Sequence, residues 1–492
     1  MKIAIVGAGI SGSSVLQTLL TDPLTQDQEK QIDIYDHHGN FAQGNPYIPD
    51  SNALLMNSEA NDLGLDAQHP QDFVEWLENH DNEDQMVDGL VYRHIYGEYL
   101  EDYFQDSYEH SQVKSITAEV TDLRIMDDGT CQIATFHDGW IDQLYDVVFL
   151  ALGHAPYRNS YALKGTDDYI HDPYPFYEKM PDFDSTDRVG IIGSGATGLD
   201  IMRYLLEKED FDEPITFYVR ESLFNATGIP CDEEITTSLT WEWIEENMHS
   251  QTETLMLDTV LEQVEKDFEH YGIDWHSLVA NYGHSRLSDN IRAYFAKPEE
   301  LAKAQRYFVS IILIFPHLFQ ALSIPDQQRF LDDYFPYMTI MRASVPYSTM
   351  GLVLDALKNN RLRIVNHVSS IEANQSGTFD IYNDDNYIET ADILINATGF
   401  EDDILKASEQ SHLLKNLVKR EMILPHDSGK GPLVAWPSAE LMTREDIEQP
   451  IVMLGNIIHS THLGNNNARL IASQGRIAAR CFIEKYFGVN EE

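Results

Sequence analysis

The amino-acid sequence predicts an α/β fold in which one unit occurs twice. An apolar run, Ile3-Ala4-Ile5-Val6, meets Gly7, Gly9 and Gly12 and then apolar residues at helical spacing, Val15, Leu16, Leu19 and Leu20. Val189-Gly190-Ile191-Ile192 repeats that opening ahead of Gly193, Gly195 and Gly198. Each copy runs through short alternating segments to a buried strand that ends in Gly153 or Gly399. Strand, glycine turn and helix in this order predict two Rossmann-like, dinucleotide-binding domains with β-meanders, and a helical insertion enlarges the second.

In the first copy each glycine has its own task. Gly7 permits the tight turn, Gly9 lets backbone approach a pyrophosphate, and Gly12 lets helix and strand pack closely, while N–H groups at the helix start attract phosphate. A second strand, Ile32 to Tyr35, ends at Asp36, whose carboxylate suits the hydroxyls of an adenosine ribose. The segment from Gly39 to Leu65 is rich in glycine and asparagine without a clear period, a pattern expected of a functional loop. Helical spacing marks Pro70 to Asn79 and Arg93 to Ser107. Alternation from Ser115 to Trp140, with a turn at Asp127-Asp128-Gly129, reads as a meander. The apolar run from Val147 to Leu152 then closes the unit at Gly153.

The second copy predicts a helix from Leu199 to Glu207 and a strand from Ile215 to Val219, here followed by Arg220 in place of a carboxylate. A second meander, Leu362 to Tyr387, leads through Ile393-Leu394-Ile395 to Thr398-Gly399. The extra length of this copy falls in acidic and apolar residues at helical spacing, including Leu257, Val260, Leu261, Val264 and Phe268. It reads as a substrate cover or a homodimer surface, with a purely structural role as the alternative. The expected organisation is residues 1–170 for the first domain, 185–231 with 338–400 for the second, 232–337 for the insertion, and 401–492 for a return to the first. That return carries a buried strand, Ile451 to Leu454, the turn Gly455-Asn456, and a helix from Ala468 to Tyr486.

Composition narrows the partners. The chain of 492 residues holds 33 Lys and Arg against 81 Asp and Glu, a formal net charge of −48, so nucleic acid and anionic lipid are repelled. Cys131, Cys231 and Cys481 form neither a CxxC pair nor a zinc-spaced cluster, which disfavours a dithiol reductase and predicts no metal site. The sequence opens directly on a strand and its longest apolar run, Phe308 to Phe315, is short of a membrane span. A soluble cytoplasmic protein acting on a small molecule is expected.

The paired fingerprints, each followed by a meander and a strand ending in Leu-Gly or Thr-Gly, resemble the two-dinucleotide-binding-domain flavoproteins. Among them the chain is most similar to the FAD/NAD(P)-binding proteins related to class B flavin monooxygenases and amine N-hydroxylases. The resemblance implies FAD pyrophosphate at Gly7, Gly9 and Gly12 with Ser11 beside them, and FAD ribose at Asp36. It implies the nicotinamide dinucleotide at Gly193, Gly195 and Gly198. NADPH is expected because Arg220 can pair with a 2′-phosphate, NADH being the alternative. Gly153, Thr398, Gly399, Gly455 and Asn456 complete the expected cofactor contacts. Asn57 joins them from the Gly44 to Asn57 loop, which is similar to the family's segment near the flavin ring, and Asn467 joins them at the start of the last helix. Gly455-Asn456 stands where the family usually has Gly-Asp, and the signature FxGxxxHxxxF/Y is not cleanly present around His171 to Tyr177.

The cofactors then carry the chemistry, with hydride passing from NAD(P)H to FAD. The expected outcome is monooxygenation, a hydroxylation of a small-molecule substrate by reduced flavin and dioxygen. The alternatives are hydride delivery to an organic acceptor, or a non-catalytic redox sensor acting through the insertion. No catalytic side chain is identified; His459 and His462 flank the final turn as candidates, the alternative being two histidines satisfied by local backbone.

Overall fold

The computed structural model describes residues 1–80, 86–87, 89–208, 210–221, 223–249, 253–342, 344–384, 386–464 and 466–488. The chain forms two compact units: one of Met1–Asp50, Ser58–Pro156 and Phe400–Glu492, the other of Ser51–Asn57 and Tyr157–Gly399.

The first unit is built on a six-stranded sheet in the order Glu440–Met442, Glu448–Leu454, Val147–Ala151, Lys2–Val6, Gln31–Asp36, Val113–Thr117. All neighbours are parallel except the Glu440–Met442 edge. Ile3 lies opposite both Ile32 and Val147, so the apolar runs read from the sequence stack side by side, as a sheet covered on both faces requires. The opening helix, Ile10–Thr21, packs on the last helix, Ala468–Phe487. Gly475 permits that approach: a β-carbon there would lie 2.7 Å from the Ser11 carbonyl oxygen.

The alternating region after the aromatic helix (Arg93–Tyr108) divides differently from its sequence pattern. Val113–Thr117 joins the parallel sheet beside Gln31–Asp36, and the antiparallel meander consists of Val120–Ile125, Cys131–Thr135 and Gly139–Tyr145. Period-two alternation marks a half-exposed strand but not its partner, and Val113–Thr117 is a half-exposed edge.

The second unit repeats the plan with five parallel strands in the order Tyr169–Ile170, Ile393–Asn396, Val189–Ile192, Ile215–Tyr218, Leu362–Val365. Leu362–Val365, expected in the meander, is again the edge of the parallel sheet; the meander is Ser370–Ala373, Phe379–Asn383 and Asn386–Ala391. The helix after the second glycine turn runs Ala196–Lys208. Among the described residues, eight helices from Trp241–Asn247 to Phe335–Arg342 occupy the insertion, and Tyr347–Lys358 then crosses back to the sheet.

Ser51–Asn57 is fastened into the second unit by buried groups. Leu54 enters the apolar core formed by Phe176, Val189, Met202 and Phe217. Arg203, 8% exposed, donates to the Ala53 carbonyl and to Thr349 Oγ1, both at 2.6 Å, and faces buried Asp200 at 3.7 Å.

In the insertion, the ring of His317 packs edge-on against Trp241 at 4.0 Å, and burial lowers its pKa to about 4. The unfolded chain binds a proton near 6.5, so this histidine favours the folded state fully above that pH. Its contribution is lost as pH falls from 6.5 toward 4. Chemical denaturation across that window should show stability falling with acid, and His317→Phe should flatten the slope.

Candidate functional site

In the first unit, Gly7 at φ +98° donates its N–H to the Tyr35 carbonyl at 2.7 Å, and a β-carbon there would lie 2.2 Å from the Ala151 carbonyl oxygen. At Gly12 a β-carbon would lie 2.0 Å from the Gly7 carbonyl oxygen. The protein's own packing demands both glycines. Gly9 is different: its φ of −76° suits any residue, and the nearest atom to a β-carbon there is Gly44 Cα at 3.4 Å, an ordinary contact. It precedes a helix start with no side-chain cap, where backbone N–H groups lack helical acceptors. A glycine that the fold itself does not require, at an uncapped helix N-terminus, fits a cradle that brings an anionic pyrophosphate against backbone.

The sequence loop lies where this cradle needs a wall. Gly44, at φ +61°, places its own would-be β-carbon 3.0 Å from Gly9 Cα. Asp36 also reaches the turn. Its Oδ1 accepts from the His38 and Asn40 N–H groups at 3.0 and 2.9 Å, and its Oδ2 lies 3.4 Å from Ala8 N. The carboxylate is thereby oriented by its own loop, with Oδ2 less engaged. Gly153 and Gly455 meet at the ends of adjacent strands: a β-carbon on Gly455 would lie 2.7 Å from both N and O of Gly153, whose carbonyl accepts from Ile457 N at 3.1 Å. Gly455 N donates to Gln474 Oε1 at 3.2 Å, and Asn456 opens the next short turn.

The second unit repeats the distinction. Gly193, φ +98°, and Gly198 would place β-carbons 2.6 Å from the Ala397 and Gly193 carbonyl oxygens, whereas Gly195 has nothing within 4 Å among the described residues. Thr398 Oγ1 stands 2.9 Å from Asn396 Oδ1, and the Gly399 carbonyl accepts from Arg158 N at 2.9 Å. Arg220 is exposed over the Tyr161 ring, 5.2 Å from its centroid, and no carboxylate lies within 4.0 Å of it among the described residues.

Residues 4–155 match the family described as FAD-NAD(P)-binding. The chain carries an FAD-NAD(P)-binding domain. No curated protein sequence matches the chain. Among solved structures it is similar to ornithine hydroxylase from Pseudomonas aeruginosa, at 14% identity over 98% of each chain, with a TM-score of 0.62. It is also similar to L-lysine 6-monooxygenase from Pseudomonas syringae, at 12% identity over 98% of this chain and 99% of that one, with a TM-score of 0.59. Ornithine N-hydroxylase from Kutzneria sp. 744 is 14% identical over 98% of each chain, with a TM-score of 0.55. The fold is therefore that of the two-dinucleotide-binding flavoprotein monooxygenases.

Within the FAD-NAD(P)-binding domain and the residues that complete its unit, several groups were not singled out by their sequence pattern. The Ser13 and Tyr108 hydroxyls, 2.7 Å apart, reach the Ala8 carbonyl oxygen at 3.1 and 3.2 Å, and Tyr108 accepts from Ala42 N at 3.3 Å. They pin the carbonyl of the glycine turn inward, and burial holds the Tyr108 phenol above its ordinary range. His154 follows Gly153, stacks on Phe400 at 4.1 Å and lies 3.3 Å from Asn466 Oδ1; burial lowers its pKa. Ser11 is buried in the opening helix.

The remaining expected contacts fall in other settings. Asn467 caps the last helix, its Oδ1 accepting from Arg469 N and Leu470 N at 2.9 and 3.3 Å. Asn57 is exposed at the end of the Ser51–Asn57 segment, in the second unit. His459 Nδ1 lies 3.2 Å from the Asn456 carbonyl, and burial lowers its pKa. His462 is buried with its ring 4.7 Å from Trp436. His459 is tied to local backbone, whereas His462 Nε2 is buried with no hydrogen-bond partner among the described residues. Among the described residues, no helix is long and apolar enough to cross a membrane.

Proposed function

We propose that this chain is an FAD-dependent monooxygenase that takes electrons from NADPH and hydroxylates a small nucleophilic molecule in the cytoplasm. The observation that carries the reading is the pair of glycines, Gly9 and Gly195, that the protein's own packing leaves unexplained, one in each glycine turn. A redox sensor needs one flavin cradle; a second cradle implies a docked hydride donor. Bound FAD would supply the acceptance of hydride and the reaction with dioxygen. Gly7, Gly9 and Gly12 would hold its pyrophosphate and Asp36 its ribose; Ser13 and Tyr108 keep the turn in shape. Gly193, Gly195 and Gly198 would hold NADPH. Overall, two electrons from NADPH reduce dioxygen, one oxygen atom entering the substrate and the other leaving as water.

The ornithine and lysine enzymes of the same fold act on amines by name, so amines and thioethers are the first substrates to try. FAD-loaded protein given NADPH in air should consume NADPH and oxygen equally. With the right substrate it should release less than stoichiometric hydrogen peroxide. Full peroxide release with every amine and thioether, alongside rapid reduction of an organic acceptor, would give first place to the reductase reading.

Arg220 sets the nucleotide preference. A guanidinium held on Tyr161, with no carboxylate partner among the described residues, can pair bidentately with a 2′-phosphate. Arg220→Ala should lower the NADPH to NADH ratio of kcat/KM by about tenfold or more. An unchanged ratio would remove Arg220 from the site.

A further inference from the structure

The helix Phe335–Arg342 in the second unit presents two polar groups that the fold does not satisfy. Thr339 Oγ1 and Arg342 Nε are each shielded from solvent, and neither makes a hydrogen bond among the described residues. Three residues apart, they share one face of the helix. The whole Arg342 guanidinium lacks an ion pair or hydrogen bond among the described residues. Scarcity of carboxylates is not the cause, because the chain holds 81 acidic residues against 33 basic ones. Other arginines of this unit have theirs: Arg188 pairs with Asp392 at 2.7 Å and Arg363 with Glu389 at 2.6 Å.

An arginine side chain stays charged in a protein, and a desolvated charge with no partner is among the costliest arrangements a fold can keep. Burial acts on Arg342 in that sense, lowering its affinity for its proton, with no opposing charge near it among the described residues. The neighbouring backbone is also held by hydrogen bonds. Ala226 N donates to the Ile340 carbonyl at 3.0 Å, Val345 N to the Ala226 carbonyl at 2.8 Å, and Gly228 N to the Val345 carbonyl at 2.6 Å. Two buried carboxamides lock the same stretch: Asn290 Nδ2 donates to the Phe224 carbonyl at 3.3 Å, while Gln305 bridges Ile229 N and the Thr227 carbonyl, both at 2.9 Å. Met338 and Met341, on the same helix, are buried apolar groups with no charge to offer. Arg342 nonetheless keeps part of its surface, so a small solute can reach the guanidinium.

We propose that Arg342 and Thr339 form an oxyanion-binding site that takes a phosphate or a carboxylate, the terminal guanidinium nitrogens supplying a two-pronged donor and the threonine hydroxyl a third hydrogen bond once its side chain turns toward the anion. The group could be carried by a nucleotide cofactor or by the substrate. The site itself depends on neither flavin nor turnover, so it stands or falls separately from the proposed reaction.

The probes are potassium phosphate and potassium succinate, added to the full-length protein at constant ionic strength set with chloride. At about 10 mM either probe should raise the Tm of the wild-type protein by roughly 2 °C or more. Arg342→Met should abolish that rise while melting no lower than wild type without the probe, since it removes an uncompensated buried charge. Thr339→Val should weaken the response about tenfold, and Arg342→Lys should keep part of it. FAD content should match wild type throughout. Dissociation constants for NADP⁺ and NAD⁺ then separate the sources. Selective loss of NADP⁺ affinity in Arg342→Met assigns the site to the cofactor's 2′-phosphate, and unchanged NADP⁺ affinity with lost succinate response assigns it to a substrate carboxylate. A wild-type protein indifferent to both probes, or an Arg342→Met protein that responds like wild type, overturns the site.

Discussion

Gly9→Ala protein should fold normally and lose affinity for FAD by about a hundredfold or more, the equivalent of ~3 kcal/mol. Gly9→Val should purify without colour. The contrast with Gly12 makes the test decisive. A β-carbon at Gly9 meets Gly44 Cα at an ordinary 3.4 Å, whereas one at Gly12 would sit 2.0 Å from the Gly7 carbonyl oxygen. Gly12→Ala should therefore fail as a fold, with no soluble two-state unfolding transition, while Gly9→Ala keeps one. Flavin absorbance per protein, read beside circular dichroism, separates the two. Full flavin occupancy in Gly9→Val would falsify the pyrophosphate assignment.

The second large effect is on stability. Arg203→Ala should destabilise the second unit by about 3–5 kcal/mol, because it leaves Asp200, 2% exposed, without its arginine. It also removes donors from the Ala53 carbonyl and Thr349 Oγ1. Tyr174 Oη, 2.6 Å from Asp200 Oδ2, holds the carboxylate in place and so prevents easy escape to water. Denaturant unfolding followed by protease sensitivity at Ser51–Asn57 would measure both losses. A change under about 1 kcal/mol would show that water enters and solvates Asp200.

Both glycine turns, the two closing strands and the helical insertion were legible because glycine spacing and apolar periodicity are local properties of a chain. Asp36 was legible for the same reason: its offset from Gly12 reflects one helix and one strand of fixed rise. What escaped depends on partners distant in sequence. Val113–Thr117 and Leu362–Val365 alternate like meander strands, yet each pairs in parallel with a strand from another part of the chain. Tyr108 acts on Ala8 across a separation of 100 residues, and nothing in its own surroundings announces that. Asn467 shows the opposite difficulty: asparagine before a helix suits either a ligand or a cap, and the hydrogen bonds to Arg469 N and Leu470 N supply the cap.

The sheet order of the first unit sets when, during synthesis, that unit can be completed. Val147–Ala151 has Lys2–Val6 on one side and Glu448–Leu454 on the other, and the opening helix packs on Ala468–Phe487. A ribosome that has released residue 156 must add roughly 290 more before the missing strand exists, a delay of about 15–60 s at cellular elongation rates. During that interval the second unit emerges whole, with Ser51–Asn57 already available to it, so the portion translated first is the portion completed last. Until then the far side of Val147–Ala151 is the unpaired edge of a wholly apolar strand, the kind of surface that chaperones bind and that aggregates when they do not.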